Sequence, residues 1–201
     1  MIVTDALRFI NGRAIVWVKN TNFADDYPTV KEKCGLIDDM GEFIVPPIYD
    51  NMMYAGGTNV TVNIGFEDHE EYQISGKWGV VDLDNHILIP RKYTDICPWE
   101  NGLYAVEYQG KWGAINISEE TIIPFEYDWL SCPDKYGWIV AKFKDKYGCI
   151  INREVVVPFI YDDITLYEAE KLIPVKYGQQ AFYIDRDSGH RLLSVSYTHL
   201  R

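Results

Sequence analysis

The sequence predicts an all-β protein, made of tandem three-stranded β-meander repeats of about 34 residues set in an open curved array. Three observations lead there. First, one pattern recurs: an aromatic residue or Cys before Gly, a Pro ten or eleven residues on, and a Tyr three residues later. The copies are Cys34-Gly35…Pro46…Tyr49, Trp78-Gly79…Pro90…Tyr93, Trp112-Gly113…Pro124…Tyr127 and Tyr147-Gly148…Pro158…Tyr161, with Lys33, Lys77, Lys111 and Lys146 before the pairs. Such a period marks units that bury their apolar faces only by stacking on their neighbours. Second, aromatic and β-branched residues, which suit a pleated, half-buried surface, are abundant. Third, no segment sustains the 3.6-residue apolar period of a helix.

The chain opens with Phe9-Ile-Asn-Gly12-Arg-Ala-Ile-Val-Trp17, which matches Trp99-Glu-Asn-Gly102-Leu-Tyr-Ala-Val-Glu107. Residues 6–19 therefore read as a partial unit, the last strand of a repeat. Full units begin near residues 33, 77, 111 and 146. The repeat glycines are spaced 44, 34 and 35 residues apart, so the first interval carries about ten extra residues, placed between Asn51 and Gly76.

Within a unit, Trp78-Gly-Val-Val-Asp82 is the first strand and Asp84-Asn85 the turn after it. His86-Ile-Leu-Ile89 is the second strand, closed by Pro90, which cannot donate to a ladder. Leu103–Tyr108 is the third. Its alternation puts Tyr104, Val106 and Tyr108 on an apolar face and leaves Ala105 and Glu107 on a mixed one. Ile139, Ala141 and Phe143 repeat that apolar face, with Val140 and Lys142 opposite, as a half-buried strand requires. A weaker fifth unit starts near residue 179, with Gln180-Ala181 in place of the aromatic-Gly pair. The whole is read as one domain over residues 1–193. Pairing the end strands through Arg13–Val18 would close a five-unit, propeller-like ring, which is the alternative architecture. Units of about 34 residues are short for four-stranded blades and favour the open array. Residues 194–201, Ser-Val-Ser-Tyr-Thr-His-Leu-Arg, resemble a translated sequencing-adapter read-through and are kept apart from the fold as a non-native tail.

The run Gly-Lys-Trp-Gly-Val-Val-Asp…Ile-Leu-Ile-Pro-x-x-Tyr-x-Asp-Ile resembles the WG repeat, a family of bacterial tandem β-repeats named for its Trp-Gly pair. The resemblance spans residues 6–193 and is strongest in the units beginning at Lys77 and Lys111. It implies a β-repeat scaffold and supplies no catalytic residues to carry over.

Composition narrows the function. A net charge of −11 with pI near 4.7, spread along the chain, disfavours nucleic-acid backbones. There is no basic n-region with an apolar core at the start and no apolar run of membrane-spanning length, so a cytoplasmic protein is expected. The four cysteines form no CxxC pair and lie far in sequence from the four His, so no zinc site or other cofactor is expected. Cys34, in a Trp position, reads as a buried apolar side chain. Cys97 and Cys132 both precede Pro at equivalent repeat positions; a disulfide is an option, and reduced thiols are the expectation.

Trp78, Gly79, Trp112, Gly113, Tyr147 and Gly148 read as structural repeat positions, the Trp as a packing wedge and the Gly as a point of close backbone approach. One carboxylate per unit follows the repeat Tyr (Asp50, Asp95, Asp128, Asp162-Asp163), and these acids read as acceptors of local backbone N–H groups, paired in part with the repeat Lys. Asp185-Arg-Asp187-Ser-Gly189 is similar to a calcium loop yet lacks its distal acid, so it reads as a turn. Binding is assigned to the first-unit insertion, Met52–Tyr72, through Phe66, Asp68, His69, Glu70 and Tyr72, together with Asn20–Glu32. Trp99 and Trp129, outside the repeat pairs, are further contact candidates. No GxSxG, P-loop, HExxH or dinucleotide turn is present. The expectation is a non-enzymatic module that binds a protein partner, with glycan binding through Trp99 or Trp129 as the alternative and a hydrolase using Asp68 and Glu70 as the least favoured.

Overall fold

The structure, a computed structural model, describes residues 2–19, 32–54, 57–68, 73–166 and 171–195. Among them are five antiparallel four-stranded sheets. The first is β1 (Ile2–Ala6), β2 (Arg13–Lys19), β3 (Lys33–Asp38) and β4 (Phe43–Tyr49). The second is β5 (Asn51–Met53), β6 (Asn59–Asp68), β7 (Gln73–Asp82) and β8 (Ile87–Tyr93). The third is β9 (Asp95–Pro98), β10 (Leu103–Tyr108), β11 (Lys111–Asn116) and β12 (Thr121–Tyr127). The fourth is β13 (Trp129–Leu130), β14 (Ile139–Phe143), β15 (Lys146–Ile151) and β16 (Glu154–Tyr161). The fifth is β17 (Asp163–Ile164), β18 (Leu172–Tyr177), β19 (Gln180–Asp185) and β20 (Arg191–Val195). Strand order in each sheet follows chain order, so β1 and β20 are edge strands and no sheet closes on itself as a barrel. The chain divides into two compact units, Met1–Pro98 with Ile117–Glu119 and Trp99–Asn116 with Glu120–Arg201.

The all-β tandem array is as the sequence predicts, with local differences. Each sheet gains a fourth strand, because the two to four residues after the repeat Tyr pair with the strand that follows them, as Asn51–Met53 do with Thr61–Asn63. At the start of the chain β1 plays that part for β2, so the first sheet is complete. The repeat Pro does not end its strand: β8 runs through Pro90 to Tyr93. The register shifts between Trp78 and Val80, and a bulge on an edge strand is where a residue without an N–H is tolerated. In the fifth sheet, Lys176 pairs with Ala181, as Glu107 pairs with Trp112. The aromatic-Gly pair is therefore replaced by Ala181-Phe182 rather than Gln180-Ala181.

The third strands are buried on both faces. Ala105 and Val140 are as inaccessible as Tyr104 and Val106. Within each compact unit neighbouring sheets stack face to face. In the first unit Ile15, Cys34, Leu36 and Val45 pack with Met52, Val60, Val62 and Val81 of the next sheet. In the second, Val140, Cys149 and Val157 pack with Ile173, Val175, Phe182 and Ile184. Cys34 is buried as expected. Cys97 and Cys132 are disulfide-bonded, against the expectation of thiols, while Cys34 and Cys149 are free. The sequence offers only the equivalent places of the two residues before Pro, which do not decide between thiol and disulfide.

Candidate functional site

The repeat positions are accounted for by packing. One row of residues crosses each sheet at the level of the aromatic-Gly pair. It reads Asp5–Trp17–Cys34–Tyr49 in the first sheet and Asn51–Asn63–Trp78–Tyr93 in the second. In the third it includes Glu107–Trp112–Tyr127, and in the fourth it is Trp129–Lys142–Tyr147–Tyr161. Each of these rows holds one Trp and ends in the repeat Tyr. Where Cys34 or Tyr147 replaces Trp, the row's indole stands on another strand, as Trp17 one strand away or Trp129 two strands away. Trp78 and Trp112 are buried. The Gly beside them is required by the bulged crossing strand: a Cβ on Gly79 would lie 2.5 Å from the Ile89 carbonyl oxygen, and one on Gly113 2.8 Å from that of Ile123. Gly148 stands in the same relation to Val157, at 2.6 Å.

The carboxylates after the repeat Tyr are clamps. Lys33 Nζ donates to Asp50 Oδ1 at 2.5 Å, Lys111 to Asp128 at 2.6 Å and Lys146 to Asp162 at 2.5 Å. The second oxygen of each carboxylate accepts a backbone N–H from the following hairpin turn: Gly65 at 2.7 Å, Asp145 at 3.3 Å and Gly178 at 2.5 Å. The hydrogen bond from the repeat Lys is the main cause that holds the Asp128 and Asp162 carboxyls below the ordinary carboxylate value. The unit of Lys77 carries Thr94 at this place.

Asp82, Asp84 and His86 bring three metal-ligating atoms within 4.8 Å of one another. The Asp82 carboxylate is already engaged by the backbone N–H groups of Asp84 and His86 and by His86 Nδ1. The His86 backbone bond is the largest of the causes that lower its pKa. Asp38, Asp134 and Asp185 organise their hairpin turns in the same way, so this is turn chemistry. Asp185 accepts from Asp187 and Ser188, which makes that segment the plain turn expected.

The insertion differs from the two-residue hairpins of the third, fourth and fifth sheets. Strands β10 and β11 close with Tyr108 opposite Lys111, and β18 and β19 with Tyr177 opposite Gln180. In β6 and β7 the equivalent pair is Ile64 opposite Lys77, and the ladder continues through Phe66 opposite Ser75, Glu67 opposite Ile74 and Asp68 opposite Gln73. The extra residues are therefore 66–75, at the hairpin tip. The upstream part of the expected insertion is ordinary repeat: Met52, Val60 and Val62 are core residues. Phe66 and Asp68 lie on β6. His69, Glu70 and Tyr72 fall outside the described residues, as does Asn20–Glu32 except for Glu32 itself.

The two remaining Trp candidates part company. Trp99 is 9% exposed, packed where β9 leads through a 3-10 turn (Glu100–Gly102) into β10. Trp129 is 41% exposed, beside Lys142 in its row. Sequence reasoning missed the row itself, because it is read across paired strands and not along one column of the repeat.

A family model described as WG containing repeat matches residues 35–57, 78–112, 112–147 and 151–179. No curated protein matches the chain. Among solved structures it is similar to a eukaryotic initiation factor (10% identity, 96% of this chain and 54% of that one, TM-score 0.59). It is also similar to Kluyvelomyces marxianus Hsv2 (9% identity, 96% and 64%, TM-score 0.53) and to Kluyveromyces lactis Hsv2p (8% identity, 96% and 63%, TM-score 0.51). The chain spans about half to two thirds of those proteins. At these identities the likeness is one of fold alone, β-propeller-like four-stranded sheets in succession.

Proposed function

We propose that the chain, which belongs to the WG containing repeat family, is a non-enzymatic interaction module whose projecting first-repeat hairpin engages a protein partner. The observation that carries this reading is the continuation of the β6–β7 ladder past Ile64–Lys77, where the hairpins of the third, fourth and fifth sheets turn. The ladder of Phe66–Asp68 with Gln73–Ser75 offers backbone edges, and the sequence of this segment is acidic (Glu67, Asp68, Glu70, Glu71), which suits a basic surface. Repeat-specific insertions on a rigid array are where binding surfaces are commonly built. Lys33, Lys111 and Lys146 with their Asp partners, and the repeat Trp and Gly, are occupied in holding the sheets, and catalytic roles are not assigned to them.

The test is removal of residues 66–75, which joins Gly65 to Gly76 and leaves a two-residue turn between Ile64 and Lys77. Co-purification from the source cell, read by mass spectrometry, should lose its specific partner with this variant while thermal stability is kept. Retention of the same partner by the shortened protein overturns the hairpin as the site.

A second reading is favoured by Trp129 alone: its half-open indole beside Lys142 is a stacking platform for a glycan ring. Saturable quenching of tryptophan fluorescence by oligosaccharides, lost in Trp129→Ala, supports it; no saturable change removes it.

A further inference from the structure

The repeat Lys and the residue after the repeat Tyr hold one station of the ladder in each of the first four sheets. Cys34 pairs with Tyr49, Trp78 with Tyr93, Trp112 with Tyr127 and Tyr147 with Tyr161. The Lys before the first member and the residue after the second are therefore set beside each other every time. Three of these places hold an ion pair: Lys33–Asp50 at 2.5 Å, Lys111–Asp128 at 2.6 Å and Lys146–Asp162 at 2.5 Å. The place in the second sheet holds Lys77 and Thr94. Lys77 is exposed, and among the described residues no carboxylate is paired with it; Thr94 is half-buried. Here the cation is kept and the anion is replaced by a hydroxyl.

We propose that Thr94 is a phosphorylation site, and that its phosphate completes with Lys77 the clamp that Asp completes in the other repeats. The hydroxyl oxygen of Thr stands on Cβ, where Asp carries its carboxyl carbon. Phosphate oxygens on it come one bond beyond the carboxylate oxygens, a difference that the four-carbon stem of exposed Lys77 can take up. Near neutral pH the phosphate carries a charge of about −1.5 to −2 and three acceptor oxygens, so its bond to an ammonium is stronger than that of a carboxylate. Lys92, two residues before Thr94, is already held by Glu119 at 2.5 Å, which leaves Lys77 as the ammonium for this phosphate. Thr94 follows β8, the edge strand of its sheet, so one backbone edge of the segment leading to it is open. The co-reactant is a nucleoside triphosphate bound to a protein kinase. The Thr94 oxygen attacks the γ-phosphorus, the new O–P bond replaces that to the bridging oxygen, the diphosphate leaves, and the hydroxyl proton passes to the kinase's catalytic carboxylate. The clamps made by Asp are permanent, whereas this one is set by the modification. It acts at Lys77, opposite Ile64 in the last pair before the extra residues. The inference rests on the register of the repeats and not on the hairpin as a partner site.

The experiment has two parts. The full chain is isolated from the source cell under phosphatase inhibition and mapped by mass spectrometry. Trypsin releases Thr94 within residues 93–111, where it is the only Ser or Thr, so fragmentation assigns the phosphate. Full chain carrying phosphothreonine at position 94, installed by codon reassignment, is then melted beside the unmodified chain. A Tm higher by a few degrees at low salt is expected, with the gain shrinking in high salt and lost in Lys77→Gln. Thr94→Asp, which places the acid of the other repeats, should show the same Lys77-dependent gain. Lys77→Gln in the unmodified chain should leave Tm unchanged, because its ammonium has no acid to release. Thr94 found unmodified in the source cell, or a phosphorylated chain whose Tm does not depend on Lys77, overturns the proposal. The chain without residues 66–75 keeps both residues and should show the same gain, so this site and the hairpin fail separately.

Discussion

The hydroxyl of Tyr49, the last residue of β4, donates to Asn85 Oδ1 at 2.7 Å across 36 residues of chain. Asn85 sits in the turn between β7 and β8 with φ of +63°, in the left-handed region that Asn tolerates better than most residues. One repeat later Tyr93 does the same to Glu119, at 2.8 Å and with φ of +60°. In these two sheets the repeat Tyr thus ties its strand to a hairpin turn of the following repeat. Burial acts to raise the Glu119 carboxyl, but the hydrogen bonds from Lys92 and Tyr93 outweigh it and the net shift is downward.

Tyr49→Phe removes the bond and keeps the ring. A loss of about 1 kcal/mol is expected, the usual net value of one hydrogen bond. For a chain of this size that lowers Tm by about 2–4 °C. A denaturant or thermal melt reads it, and an unchanged Tm would show that the Tyr acts through its ring alone.

Gly79→Ala and Gly110→Ala separate two reasons for glycine. At Gly79 the obstacle is backbone, the Ile89 carbonyl at 2.5 Å, so β8 must move and a loss of about 3 kcal/mol is expected. Gly110 has φ of +77° and open space around its Cα, so Ala there meets only the left-handed penalty, about 1 kcal/mol. Chemical denaturation of the two variants should rank them in that order.

The array, its repeat boundaries and the burial of the Trp-Gly pairs were legible in the sequence because they recur, and recurrence averages over local exceptions. What was too short to show alternation, or moved between strands, was missed. The fourth strand is only two residues at β13 and β17, too short for alternation to register. Trp17 and Trp129 serve the same row as Trp78 from a different strand, which no column alignment shows. Trp99 and Trp129 look alike as non-repeat Trp; only the packing of the 3-10 turn buries the first and leaves the second half open. The insertion was placed in the right interval, but assigning it to residues 66–75 needed the ladder, since β6 carries core Val60 and Val62 upstream.

Cysteine chemistry should reflect the two bonded and two free residues. Burial is the largest influence on Cys34 and Cys149 and pushes both thiols up to about 12, so at pH 8 only about one in ten thousand is thiolate. Folded protein should resist iodoacetamide. Unfolding without reductant should expose two reactive thiols, and reduction should raise the count to four. Mass spectrometry counts the adducts; four adducts without reductant would refute the disulfide assignment.

The Lys–Asp clamps predict the direction of a pH effect. The folded pKa of Asp128 is lowered from 3.8, chiefly by the Lys111 hydrogen bond, so the clamp stabilises above pH of about 4. That stability is lost as pH falls through the depressed folded value. Asp128→Asn should therefore melt below the parent at pH 7, and the gap should shrink as pH drops below 4. High salt should shrink it too, since the pair is partly exposed. A gap that widened in acid would reverse the sign and exclude the clamp as its cause.

Removing residues 66–75 should leave the fold intact. After the cut, Ile64 and Lys77 flank Gly65-Gly76, just as Tyr108 and Lys111 flank Gln109-Gly110. Two glycines accept the positive φ that this turn needs at both places, and both already have it, +88° and +65°. Asp50 keeps its hydrogen bond from the Gly65 N–H and its ion pair with Lys33, so the clamp at the hairpin base survives. The described members of the first-unit core are all kept, whereas a cut over residues 56–72 would take Val60 and Val62 out of it. The short deletion is expected to change Tm by no more than a few degrees, and the longer one to abolish cooperative unfolding. A cooperative melt for both would mean that β6 is dispensable to the second sheet, and one for neither that the arm beyond Ile64–Lys77 supports the fold rather than a partner.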